Sequence, residues 1–142
     1  MTSPFAIQTQ RPLRHFKRWL MIGWAILGMI IVVSLIPDPG GALLGDFKPN
    51  DKVAHFIAYG ILMGWFSQLY HAMHTRLLLA VLFICLGVTL EFLQGFTYYR
   101  MYEHYDMLAN SIGVILGYVF SFGVLGELLL KFEQRFAHTT TN

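Results

Sequence analysis

Charge is scarce in this sequence: Asp, Glu, Lys and Arg together make up 13% of its 142 residues, about half the share of an ordinary soluble domain. Ten basic residues against eight acidic ones leave a net charge of +2. That is too small a surplus for nucleic-acid binding, which needs a strongly basic surface. One cysteine, Cys85, excludes any intramolecular disulfide and says nothing about compartment. No HExxH, paired-Cys or DxD-type pattern is present, so no metal site is expected and no cofactor is named. No internal repeat interrupts the chain. What fills it is apolar: 56% of the residues are hydrophobic, and they come in long blocks with almost no polar face. A soluble helical fold would need such faces.

Four blocks stand out. Trp19 to Ile36 contains no ionisable residue, Val53 to Tyr70 only His55, Leu77 to Phe96 only Glu91, and Met107 to Gly126 none. At 1.5 Å per residue each reaches roughly 27–30 Å, the thickness of a hydrocarbon core. Pro37-Asp-Pro-Gly-Gly stops the first block, Lys48-Pro-Asn-Asp opens the second with Asn50 or Asp51 as N-cap, and His71 to Arg76 forms a polar turn before the third. The first block is long for a signal peptide, and no small-x-small cleavage site follows it, so it reads as an uncleaved helix. The expectation is an all-α protein, a four-helix transmembrane bundle. A basic segment occupies residues 1–18, the membrane domain 19–130, and a tail 131–142, Thr-rich at its end.

Basic residues set orientation. With the N-terminus in the cytoplasm, Arg11, Arg14, Lys17, Arg18, Arg76, Lys131 and Arg135 lie inside, against Lys48, Lys52 and Arg100 outside. Both termini are therefore expected in the cytoplasm. Phe96, Tyr98, Tyr99, Tyr102 and Tyr105 crowd the second outer loop and read as an interfacial aromatic belt. Trp19 and Trp24 read as an inner anchor.

In this topology the unusual polar residues fall at one depth. Asp51 and His55 begin the second span, Glu91 and Gln94 end the third, Arg100 sits between, and Asp106 and Asn110 begin the fourth. Asp51, His55 and Tyr59 are spaced i, i+4, i+8 and share a face; so do Asp106 and Asn110, continued by Gly113 and Gly117 as a small-residue seam. Glu91 lies about 7 Å below the outer end of its helix. A carboxylate there must turn inward to a donor, because facing lipid costs several kcal/mol. His55, Arg100, Gln94 and Asn110 can supply one.

The ordered set Asp51-Lys52-x-x-His55-Phe56-x-x-Tyr59, Glu91-x-x-Gln94, Arg100 and Asp106-x-x-x-Asn110-x-x-Gly113-x-x-x-Gly117 resembles the VanZ-like family over about residues 30 to 120. The resemblance implies a multi-pass protein of the bacterial cytoplasmic membrane, in a family whose namesake is associated with resistance to the glycopeptide teicoplanin. Its recurrent polar positions map to Asp51, His55, Glu91, Gln94, Arg100, Asp106 and Asn110. Three readings of the cluster stay open. It can be a binding site for an envelope amphiphile, lipid-linked or glycopeptide-related. It can be a hydrolase or transferase centre with Glu91, His55, Asp106 and Arg100 as its chemical groups. Or it can be a polar network that only docks helices. The first is the expected function. The lipid bilayer is the expected partner, and self-association stays open.

Overall fold

The computed structural model describes residues 10–36, 51–96 and 104–139. All the described elements are helical. Helix α1 runs Phe16–Leu35, α2 Asp51–Leu69, α3 Met73–Gly95 and α4 His104–Phe120; a 3₁₀ turn over Val124–Glu127 leads into α5, Leu128–Thr139. The Pro37 to Gly41 stop, Lys48, Asn50 and Arg100 lie outside the described residues, as do Tyr98, Tyr99 and Tyr102 of the aromatic loop.

The first three apolar blocks become helices to within four residues at each end. α1 and α3 are long and apolar enough to cross a membrane by length and composition. α2 carries Asp51, Lys52 and His55 in its first two turns, and α4 is shorter, at 17 residues. These two more polar helices form the most intimate pair of the fold, and glycine makes that possible. A Cβ on Gly113 would collide with the Phe56 carbonyl oxygen, and one on Gly117 would stand 2.7 Å from the Gly60 carbonyl and 3.0 Å from Met63 Cβ. The seam expected along α4 is thus where its backbone rests on that of α2.

Beside the seam the core is apolar: Tyr59, Leu62, Met63, Phe66, Leu69, Ala80, Phe83 and Val114 are buried together. The outward faces are apolar too. Met21, Met29, Val32, Leu78, Val81, Leu108 and Ile115 are all at least half exposed. Water would penalise so broad an apolar surface, and hydrocarbon would not.

α4 stops at Phe120, six residues before the apolar block does. The reason is at the end of the bundle where α1 begins. Arg76 is buried, 3% exposed, beneath the turn that follows α4. Its Nε donates to the Tyr70 carbonyl at 2.8 Å, Nη2 to the Ser67 carbonyl at 2.9 Å, and Nη1 to the Ser121 carbonyl at 3.1 Å and hydroxyl at 3.3 Å. One guanidinium so satisfies carbonyls left over where α2 and α4 end. Gly126 packs its backbone on the Ser121 carbonyl and lets the chain turn back.

Residues 128–139 are a helix that straddles the expected start of the tail at 131. α5 docks through Leu129, whose side chain is buried and whose N–H donates to Gln68 Oε1 at 2.8 Å. Glu133 fastens it to α1. Its carboxylate accepts the backbone N–H of Arg14 at 2.6 Å and of His15 at 2.9 Å, and the Trp19 indole N–H at 2.7 Å. Trp24 is exposed, whereas Trp19 is built into this junction. The Glu127–Lys131 pair on adjacent turns closes at 3.2 Å. Arg11 N–H meets the Leu69 carbonyl at 2.9 Å and brings the N-terminal arm to the same end.

Candidate functional site

At the opposite end Asp51, His55, Glu91, Asp106 and Asn110 come together. α2 and α4 both start there, and the glycine seam fixes their register. Asp51 and Asp106 sit in the first turns of these helices, where the helix dipole favours a carboxylate. One turn on, His55 and Asn110 face each other: His55 Nδ1 lies 3.0 Å from Asn110 Oδ1. Glu91 arrives from α3, with Oε1 3.7 Å from the same ring nitrogen. Two oxygens thus converge on Nδ1, and the other ring nitrogen, Nε2, lies 3.8 Å from Asp51 Oδ1. Lys52 Nζ stands 3.7 Å from Asp106 Oδ1.

The cluster grades from water to core. The Asp51 and Lys52 side chains are 55% and 42% exposed. His55 is at the threshold, and Glu91, Asn110 and Asp106 are 1%, 1% and 4% exposed. Tyr59, next on the His55 face, lies at the floor, where its buried hydroxyl has no hydrogen-bond partner among the described residues. Gly87 makes the floor compact: a Cβ there would stand 3.1 Å from Asn110 Cβ and 3.2 Å from Tyr59 Cε1. This small residue one turn below Glu91 lets α3 close against the other two helices.

Gln94 ties α3 to α1, donating from Nε2 to the Ser34 carbonyl at 2.8 Å. Arg100 cannot be placed, since it lies outside the described residues. His104 opens α4 and is exposed. Two participants went unread in the sequence. Lys52 stands in the family pattern and among the outer charges but not among the seven polar positions, although its place next to Asp51 at a helix start puts it at the same height. Ser34 was passed over, although it is the only hydroxyl residue in the first apolar block. The geometry also brings together a set that no motif announces: ligand atoms of Asp51, His55 and Asp106 lie within 4.8 Å of one another, a spacing that can hold a metal ion. Nε2 is the His55 nitrogen on the Asp51 side, with Nδ1 turned to Asn110 and Glu91.

Comparison with known proteins agrees with the residue pattern. No solved structure matches this chain. An uncharacterised protein of Schizosaccharomyces pombe is 31% identical over 126 residues, covering 82% of this chain and 75% of its own length. Residues 4–126 match VanZ/LLP1, a stretch that takes in α1 to α4 and every polar residue of the cluster. On that match, which covers most of its length, the chain belongs to the VanZ/LLP1 family.

Proposed function

We propose that α1 to α4 each cross the bilayer, with both termini cytoplasmic, and that the cluster opens on the outer leaflet, where it binds the polar group of a membrane amphiphile. The observation that carries this reading is the convergence of Asp51, Lys52, His55, Glu91, Asp106 and Asn110 from three helices at one end of the bundle. Docking helices needs less. Polar contacts between membrane helices contribute about 0.6–2 kcal/mol each, and one or two suffice. Three acids around one histidine and one lysine exceed that need. The exposed apolar faces of α1 and α3 support a lipid setting.

The test is native mass spectrometry of the full chain extracted with its lipids, on the natural protein and on His55→Ala and Asp106→Asn. The expected result is a lipid retained by the natural protein and lost from both variants at unchanged folded yield. A natural protein that carries no lipid, or variants whose yield and lipid fall together, would favour a network that only docks helices.

A reaction at the same place is the second reading, supported by the Asp51, His55 and Asp106 ligand atoms within 4.8 Å. A divalent cation there would polarise a phosphate ester or activate water for hydrolysis or transfer. Titrating the protein with Mn²⁺ and following free ion by electron paramagnetic resonance tests it. Binding of one ion, abolished by Asp106→Asn, is expected; no saturable binding removes the metal-assisted reaction.

A further inference from the structure

The end of the bundle away from the polar cluster carries a surface that the family match leaves largely outside its limits. α5 has three faces. At about 100° per residue, Leu129, Leu130 and Glu133 point to the bundle, and Leu129 is buried there. Leu128, Phe132 and Phe136, spaced i, i+4, i+8, form an outward stripe; they are 45%, 49% and 60% exposed. Lys131 and Arg135 lie on the arc beside that stripe, and both are exposed. The helix is thus apolar along one outward strip, basic along its margin and uncharged at Gln134 beyond. That is the pattern of a helix lying in a membrane interface, not of one crossing it.

Its height is set by contacts already described. Glu133 holds α5 to Arg14, His15 and Trp19, the first residues of α1. Phe132 packs edge-on against Trp19 with ring centres 6.1 Å apart, and Phe136 stacks on Phe132 at 4.5 Å. Phe120 at the end of α4, Phe122 in the turn after it, and Met21 and Trp24 of α1 are further exposed apolar side chains. Around the same end Arg14, Lys17 and Arg18 are exposed. Of the acids on α5 and the turn before it, Glu127 is paired with Lys131 and Glu133 faces inward.

We propose that α5 and the start of α1 form a collar that binds anionic lipid, with Leu128, Phe132 and Phe136 among the acyl chains and Arg14, Lys17, Arg18 and Arg135 on the headgroups. The collar rests on the four-span reading only in needing a bilayer around α1 to α4; it is independent of what the polar cluster does. The apolar stripe and the basic margin commit the surface to lipid. A second copy of the chain would have to set these four like charges against the same four.

The experiment uses the full chain, delipidated in neutral detergent and titrated with phosphatidylglycerol or phosphatidylcholine, with bound lipid counted by native mass spectrometry. The natural protein should prefer phosphatidylglycerol, less so at high salt. The double variant Arg18→Gln/Arg135→Gln should lower that preference roughly tenfold, two charges having been removed from the surface. Phe136→Ser, at a ring that touches only Phe132 among the described aromatic contacts, should weaken both lipids alike. Equal binding of the two lipids by the natural protein, or an undiminished preference in the double variant, overturns the collar. So does a dimer that Phe136→Ser converts to monomer, since the stripe is then a protein interface. An alkaline carbonate wash of membranes reports on the spans separately: release of the chain overturns the four-span reading whatever the lipid preference.

Discussion

The two ends of the bundle solve the same problem in opposite ways. Each draws charged side chains in among packed helices, where they need partners. At the end where α1 begins, the charges are met by backbone. Arg76 donates to three carbonyls, and Glu133 accepts two backbone N–H groups and an indole. At the end where α2 and α4 begin, side chain meets side chain: His55 with Asn110, Glu91 and Asp51, and Lys52 with Asp106. Backbone partners cannot leave without unfolding a turn. Side-chain partners can rotate and accept a ligand in exchange. The contrast separates a clamp from a site by how each polar group is satisfied, not by how many there are.

The comparison breaks first, and most visibly, at Arg76. Arg76→Met removes the donor to four acceptor atoms and leaves them buried, each at about 1–3 kcal/mol. Thermal unfolding in detergent should show the largest loss of any variant considered, on the order of 3–5 kcal/mol. Arg76→Lys should recover only part of it, because one ammonium cannot reproduce a planar fork. An Arg76→Met protein that unfolds like the natural one would remove the clamp.

Next in size is the seam that both ends depend on. Gly113→Ala puts a methyl onto the Phe56 carbonyl. Helix α4 must then shift from α2, at about 1–3 kcal/mol. The shift parts Asn110 from His55, so this variant should lose both stability and the lipid expected at the site. Gly64→Ala, where an added Cβ meets nothing within 4 Å, is the control and should change neither.

Much of this architecture is legible in the residues. Four apolar blocks of membrane length mark four helices, and the need to partner Glu91 and Asp106 places three of them against one another at one height. The i, i+4 spacing picks out His55 and Asn110, and Gly113 and Gly117 mark the close approach. The other end was unreadable for a physical reason. Arg76 appears as one more basic residue in a polar turn, because its partners are carbonyls, and every residue type carries a carbonyl. Glu133 is equally silent, since two of its three partners are backbone N–H groups. The early end of α4 at Phe120 and the docking of α5 follow from those two side chains, so both were missed together.

The site itself should respond in the reverse manner. Glu91→Gln keeps the shape and hydrogen-bonding capacity of the side chain and removes its charge. Because glutamine keeps a hydrogen-bonding oxygen beside His55, folded stability should fall by less than in Arg76→Met, by about 1–3 kcal/mol. Lipid retained at the site should fall all the same. Equal falls in stability and retention would place Glu91 with Arg76, as a part of the scaffold.

The smallest effect belongs to Glu133, and it sharpens the comparison by using pH. Partial burial alone raises its pKa; the Trp19 indole and the backbone N–H groups of His15 and Arg14 outweigh that, and the carboxyl sits below its ordinary value of 4.5. A lowered folded pKa means that the unfolded chain takes up the proton first. The contribution of Glu133 is therefore complete above about pH 4.5 and is lost as pH falls through the lower folded value. Only a carboxylate accepts all three donors, so protonation loosens α5 from α1 and leaves α1 to α4 packed. In a Trp24→Phe/Trp65→Phe background Trp19 is the remaining tryptophan of the three in the chain, and its emission should change across that acid window while helix content holds. Glu133→Gln should show the acid-side emission already at neutral pH and no transition on acidification. If the transition survives Glu133→Gln, another group controls it, and α5 is held chiefly by Leu129 and Phe132.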